Sequence, residues 1–197
     1  MKKLVECVPN FSEGRDKDVI DSIVKSMQLV ENVKVLDVDS GKDTNRTVVT
    51  IVGDPMAVLE SAFIGIKTAS ELIDMNKHQG THPRMGATDV CPMIPVSEVS
   101  DEECINLTKT LGKRVGEELK IPIYLYEKSA QYKNRTKLPI IRSGEYEGLA
   151  KKLSDPEWKP DFGPSVMHPQ AGATVIGCRD FLIAYNINLN TKDTRLA

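Results

Sequence analysis

Two of the chain's three histidines stand in one segment, Lys77-His78-Gln79-Gly80-Thr81-His82-Pro83-Arg84-Met85-Gly86-Ala87-Thr88-Asp89. A histidine with its ordinary pKa of ~6.5 both takes and returns a proton near neutrality. Pro83 disfavours helical backbone at His82, which is expected to lie extended on a stiff loop. Loops held between rigid elements are where catalytic groups concentrate. Three roles compete. The spacing of His78 and His82 is that of a zinc-binding helix, but Gly80 and Pro83 break such a helix and the H-E-x-x-H glutamate is missing. Either histidine can also serve as a plain hydrogen-bonding loop residue. The third role, general base at His82, is the reading preferred.

Further segments carry polar groups near strands or in loops. In Asp37-Val38-Asp39-Ser40-Gly41, alternation sets Asp37 and Asp39 on one strand face, although Asp-Ser-Gly is equally ordinary turn chemistry. Asn45-Arg46 opens the next strand, and Asn10-Phe11-Ser12-Glu13-Gly14 forms a turn after the first. Gly163-Pro164-Ser165-Val166-Met167-His168-Pro169-Gln170-Ala171-Gly172 carries the third histidine, either as a lid or tunnel wall or as a surface connection. It matches neither G-x-x-x-x-G-K-[ST] nor G-x-G-x-x-G. A G-x-S-x-G elbow is also missing, and no cysteine neighbours a histidine in sequence, which argues against covalent catalysis.

The elements that must hold these residues follow from periodicity. Residues 3–8, 33–39, 46–52 and 88–96 read as strands, with RTVVTIV at 46–52 the most β-branched. Residues 16–28 and 55–72 carry apolar positions three and four apart and read as helices, the second with Pro55 in its first turn. Strand, helix, strand, strand, helix, strand is the ferredoxin-like order, an α+β sandwich with helices on one face of the sheet. Ser100 and Glu103 form a capping box that starts a third helix. Residues 121–126 predict an extra strand, and 127–162 mostly loop with a short helix near 146–153. Residues 173–176 and 181–188 read as a hairpin, and 191–197 as the first turn of a helix with Thr191 or Asp193 as its cap.

Composition narrows the class. The 197 residues carry 26 Lys+Arg against 28 Asp+Glu, so a clustered basic surface for nucleic acid is not expected. The four scattered cysteines, with no C-x-x-C, are neither a zinc ribbon nor a disulfide framework. No apolar run reaches membrane-spanning length and no secretory leader is evident, so a soluble cytoplasmic protein is expected.

At these residues the chain resembles a known family. LVECVPNFSEG, VLDVDSGKDTNRTVVTIVGDP, TASELIDMNKHQGTHPRMGATDVCPMIPV, EWKPDFGPS and FLIAYNINL look like the N-terminal half of glutamate formimidoyltransferase, the folate enzyme of histidine breakdown. The resemblance implies transfer of a formimino group from N-formimino-L-glutamate to N5 of tetrahydrofolate, which is co-substrate, with no metal. It places the catalytic histidine at His82, a strand-end aspartate at Asp39, and the folate-contacting segment at Gly163, Pro164, Ser165, Val166, Met167, His168, Pro169, Gln170, Ala171 and Gly172. Arg46 and Arg84 are expected to hold substrate carboxylates bidentately, with Asn10 and Asn45 beside them. The family's domain has two similar subdomains with folate between them. Residues 1–180 correspond to the first and 181–197 to the opening of the second, so a homo-oligomer or a complementary C-terminal subdomain is the expected partner. A non-catalytic folate- or partner-binding half-domain is the alternative, and a metal-dependent hydrolase using His78 and His82 a weaker one.

Overall fold

The computed structural model describes residues 2–183 together with 190, 191, 193 and 195. Strands β1 (Leu4–Cys7) and β2 (Asn10–Phe11) are two pieces of one strand interrupted at Pro9, which has no N–H to give to a ladder. Helix α1 (Lys17–Gln28) starts where the Asp16 carboxylate accepts from the N–H groups of Asp18 and Val19, and it buries Ile20, Ile23 and Met27. Strands β3 (Val33–Gly41) and β4 (Arg46–Gly53) pair antiparallel, and every second residue of β4 is buried. Helix α2 (Pro55–Leu72) is capped by Asp54 and leads, through the histidine loop, to β5 (Thr88–Ser97). Helix α3 (Asp101–Glu118) has the expected capping box, with both reciprocal hydrogen bonds of Ser100 and Glu103 formed. Strand β6 (Ile123–Leu125), short helices α4 (Leu138–Arg142) and α5 (Glu145–Leu153), and β7 (Thr174–Cys178) complete the described strands and α-helices.

The sheet order is β3, β4, β1/β2, β5, β7, β6. The first four positions are antiparallel and reproduce the ferredoxin-like order read from the sequence. β7 then joins β5 in parallel, and β6 joins β7 in parallel. Residues 173–176 therefore do not open a hairpin. Phe181, Leu182 and Ile183 are exposed and outside regular structure, and residues 184–188 of that expectation lie outside the described residues.

The two faces of the sheet are covered differently. Helices α1 to α3 pack on one face over Val5, Cys7, Phe11, Val49, Ile51, Cys91, Met93 and Ile176, the larger core. All four cysteines are buried free thiols. The expectation of helices on a single face needs correction, because α4 and α5 pack on the other one. There Ile141, Leu149 and Leu153 meet Val90, Tyr124, Tyr126 and Val175. That second layer spans only the β5–β7–β6 side. Asp37 and Asp39 on β3 stay exposed, and the outward residues of β4 are only partly covered. The step between covered and uncovered sheet creates a cleft. Among the described residues no helix is long and apolar enough to cross a membrane.

Candidate active site

The cleft at this step has a volume of about 480 Å³. Asn10, Arg46, Val90 and Pro92 supply its sheet side, and His82 enters from the loop before β5. Lys137, Leu138, Pro139 and Arg142 close the opposite side from α4 and its approach, with Tyr126, Glu127, Arg179 and Leu182 at the end. Four Lys/Arg side chains and one histidine thus face one glutamate. The cleft favours an anion.

His82 has a defined tautomer. Its Nδ1 lies 2.7 Å from the Pro83 carbonyl, which can only accept, so Nδ1 carries the proton. Nε2 is left with a lone pair. Burial lowers the His82 pKa below its ordinary value, the Arg46 guanidinium lowers it further, and the Pro83 carbonyl and Asp89 act in the opposite sense. The ring is neutral at physiological pH and equipped as a base.

His78 is built differently. Its Nε2–H donates to Asn45 O at 2.9 Å, while Nδ1 accepts from Arg84 Nε at 3.2 Å. Both ring nitrogens are occupied, so the residue pins the 78–84 loop onto the β3–β4 turn. Asn45 completes that joint: its Oδ1 accepts from Gly14 N and its Nδ2 donates to Gln79 O. Arg84 gives its remaining donors to Glu145 and to both carboxylate oxygens of Glu147, at 3.2, 2.9 and 2.7 Å. The guanidinium expected to hold a substrate carboxylate therefore fastens α5 instead. Among the described residues no three His, Cys, Asp or Glu side chains converge as a metal site would require.

Asp89, which no local pattern singled out, is the hub of the cleft. It is fully buried at a bulge where β2 and β5 shift register. Its Oδ2 accepts from Arg46 Nη1 and from Arg142 Nη2, each at 2.6 Å, and its Oδ1 accepts from Met85 N at 2.9 Å. Arg46 Nε also donates to Asn10 Oδ1 at 3.2 Å. Arg142 is delivered by α4, a helix of five residues whose end is held by Lys152 donating to the carbonyls of Ile141 and Ser143. The loop ahead of α4 is anchored by buried Arg135, which donates to Glu157 O at 2.7 Å, pairs with Asp161, and stacks on Tyr132.

The remaining expected site residues divide. Asn10, Arg46 and His82 meet in the cleft. Asp39 lies on the same sheet face, in the cross-strand row Asp39–Val48–Asn10–Val90. With strands ~4.8 Å apart, it stands about 10 Å from Asn10 on the uncovered sheet. The 163–172 segment does not line the cleft. Gly163 packs at Gly116 of α3, and His168 Nδ1 accepts from the N–H groups of Gln170 and Ala171. Pro169 O accepts from Asn76, and Gln170 donates to Glu71 O. The segment's tail instead braces the histidine loop: Ala87 N donates to Ala171 O, and Ala173 N to Met85 O. Gly172, at φ +68°, and Gly86 permit this approach, since a Cβ on either would lie 2.2–2.3 Å from a backbone oxygen.

A ferredoxin-like sheet extended by two parallel strands, with a neutral histidine over an arginine-lined cleft, defines the α+β class and a site suited to proton transfer on an anionic substrate. The chain belongs to the family described as the formiminotransferase domain, N-terminal subdomain, whose model matches residues 4–179. It is 57% identical over 194 residues to mouse formimidoyltransferase-cyclodeaminase, covering 98% of this chain and 36% of that protein. The glutamate formimidoyltransferase of Thermoplasma acidophilum is 51% identical over 98% of this chain and 64% of its own length. That of Streptococcus pyogenes serotype M1 is 46% identical over 100% of this chain and 66% of its own. The chain thus spans about a third of the two-activity proteins and somewhat under two thirds of the single-activity ones.

Proposed function

We propose that this chain carries the catalytic half of a formimidoyltransferase, moving the formimino group from N-formimino-L-glutamate to N5 of tetrahydrofolate. The observation that carries this reading is His82, with Nδ1 held by Pro83 O, at the wall of a cleft lined by arginines. N5 of tetrahydrofolate attacks the formimino carbon and forms a tetrahedral centre. His82 Nε2 takes the proton that N5 must lose. The same proton then passes to the glutamate nitrogen as its bond to carbon breaks, so His82 ends neutral and glutamate leaves. Acid–base assistance of this kind contributes typically ~10²–10⁴-fold, and holding both substrates together contributes more.

The donor carries two carboxylates and one amidinium, a net anion suited to a cationic cleft. Arg46 is suited to a carboxylate, and Asp39 to the amidinium on the open sheet. Folate then lies over that open face, and the 163–172 segment supports folate binding by holding the histidine loop. The setting that fits these substrates is histidine degradation in the cytoplasm. A second subdomain or a second copy of the chain completes the folate site.

The test is formation of 5-formimidoyltetrahydrofolate from N-formimino-L-glutamate, with His82→Ala as control. Turnover lost in the variant supports the reading, and turnover retained in it ends the His82 scheme. One other reading is a folate-binding half-domain inactive alone. Tetrahydrofolate binding without turnover, and turnover on adding the C-terminal subdomain of a relative, would support that version.

A further inference from the structure

We propose that Asp89 is a positioning residue that sets the Arg46 and Arg142 guanidiniums side by side as a seat for the side-chain carboxylate of a dicarboxylic amino-acid derivative. The proposal rests on the reading above that the donor is a glutamate derivative, and it names the residues that select it.

The geometry is specific. One buried carboxylate oxygen receives both guanidiniums at 2.6 Å, from β4 on one side and α4 on the other. Met85 N holds the second oxygen, so Asp89 cannot swing away from the pair. One negative charge faces two positive ones, and a net positive charge remains at the cleft wall. Arg46 Nη2 and Arg142 Nη1 make no hydrogen bond among the described residues, so each guanidinium keeps a donor for a ligand oxygen. A carboxylate is the fitting ligand because guanidinium donors meet it in a planar fork with charge-assisted bonds.

Arg46 is itself immobilised, with Nε on Asn10 Oδ1 and Nη1 on Asp89. The seat is therefore formed before ligand arrives, which lowers the ordering cost of binding. Removing the Asp89 charge would leave two like charges adjacent and free to separate.

The test uses calorimetric titration of the whole chain with N-acetyl-L-glutamate and N-acetyl-L-glutamine, which differ only in whether the side-chain group is a carboxylate or a neutral amide. The wild-type chain is expected to prefer the diacid by about tenfold or more. Asp89→Asn and Arg142→Gln should each abolish that preference, weakening the diacid by about tenfold more than the amide. A merely structural role would weaken both ligands alike. The proposal is overturned if the wild-type chain shows no diacid preference, if the preference survives both substitutions, or if both ligands lose affinity equally. Where Asp89→Asn fails to fold, Arg142→Gln and Arg46→Gln carry the same comparison. A diacid preference that these variants abolish, in a chain without formimino transfer, would sustain the seat and reject the reaction. Transfer without such a preference would do the reverse.

Discussion

His82 Nδ1 and the carbonyl oxygen of Pro83, the next residue, are 2.7 Å apart, and this single contact leaves Nε2 as the ring's free base. Burial and the Arg46 guanidinium then act together to keep the ring neutral. The consequence is a rate that rises with pH through a midpoint below ~6.5 and is level at neutrality. Proton NMR titration of His82 should show that midpoint, and Arg46→Gln should move it upward. A His82 midpoint at or above the ordinary value would contradict the account. His82→Ala should cost roughly 10²–10⁴-fold in turnover.

All three histidines have lowered pKa values, with burial the leading cause in each. Each therefore binds fewer protons folded than unfolded as pH drops below ~6.5. Their contribution to stability is fully present above that pH and is lost as pH falls through the folded midpoints. Urea unfolding at pH 7.5 and pH 5.5 should give a lower midpoint at the acid value. Replacing His78 with Phe should flatten part of that difference. It should also cost about 1–3 kcal/mol at neutral pH, because Asn45 O and Arg84 Nε lose their partner.

Gly172→Ala combines a positive φ with a Cβ 2.3 Å from Met85 O. Left-handed strain and overpacking against backbone together cost about 2–4 kcal/mol. Thermal unfolding should drop by roughly 5–15 °C. Transfer activity should fall as well, because Met85 N is one of the donors that hold Asp89.

Arg135 and Asp161 form a buried pair beside the loop that carries α4. Arg135→Leu leaves an uncompensated carboxylate and should destabilise the chain by about 3–5 kcal/mol. Melting of the variant and of the double variant Arg135→Leu/Asp161→Asn separates charge from packing. The double variant should recover part of the loss.

Asp39 offers a contrast between stability and function. It is exposed, and its side chain makes no hydrogen bond among the described residues, so Asp39→Asn should change stability by less than ~0.5 kcal/mol. If it holds the donor's amidinium, KM for N-formimino-L-glutamate should rise while the melting temperature stays put. Unchanged kinetics would remove it from the scheme.

Local order was legible in the chain itself. The β-branched run RTVVTIV, the Ser100–Glu103 box and Pro55 at the start of an apolar run each act over a few residues, whereas the turn expected from Asn10 proved to resume the first strand as β2. The strand and helix order followed, and with it the ferredoxin-like sheet, because the first strand must insert between β4 and β5 to bury Val5, Cys7 and Phe11. His82 was legible for the same reason: Pro83 restricts it locally. Arg84 and the 163–172 segment carry suggestive residue types, yet the fold commits one to Glu145 and Glu147 and sets the other behind the histidine loop. Asp89 and Arg142 had no local mark. One sits at a bulge that exists only when β2 and β5 pair out of register, the other on a short helix in a polar stretch. Their meeting depends on α4 packing over the sheet, a contact between segments distant in sequence. Side-chain periodicity reports which face a residue takes within its own element. Which charges converge across elements is decided by packing, and so the cleft appears only once the second layer is in place.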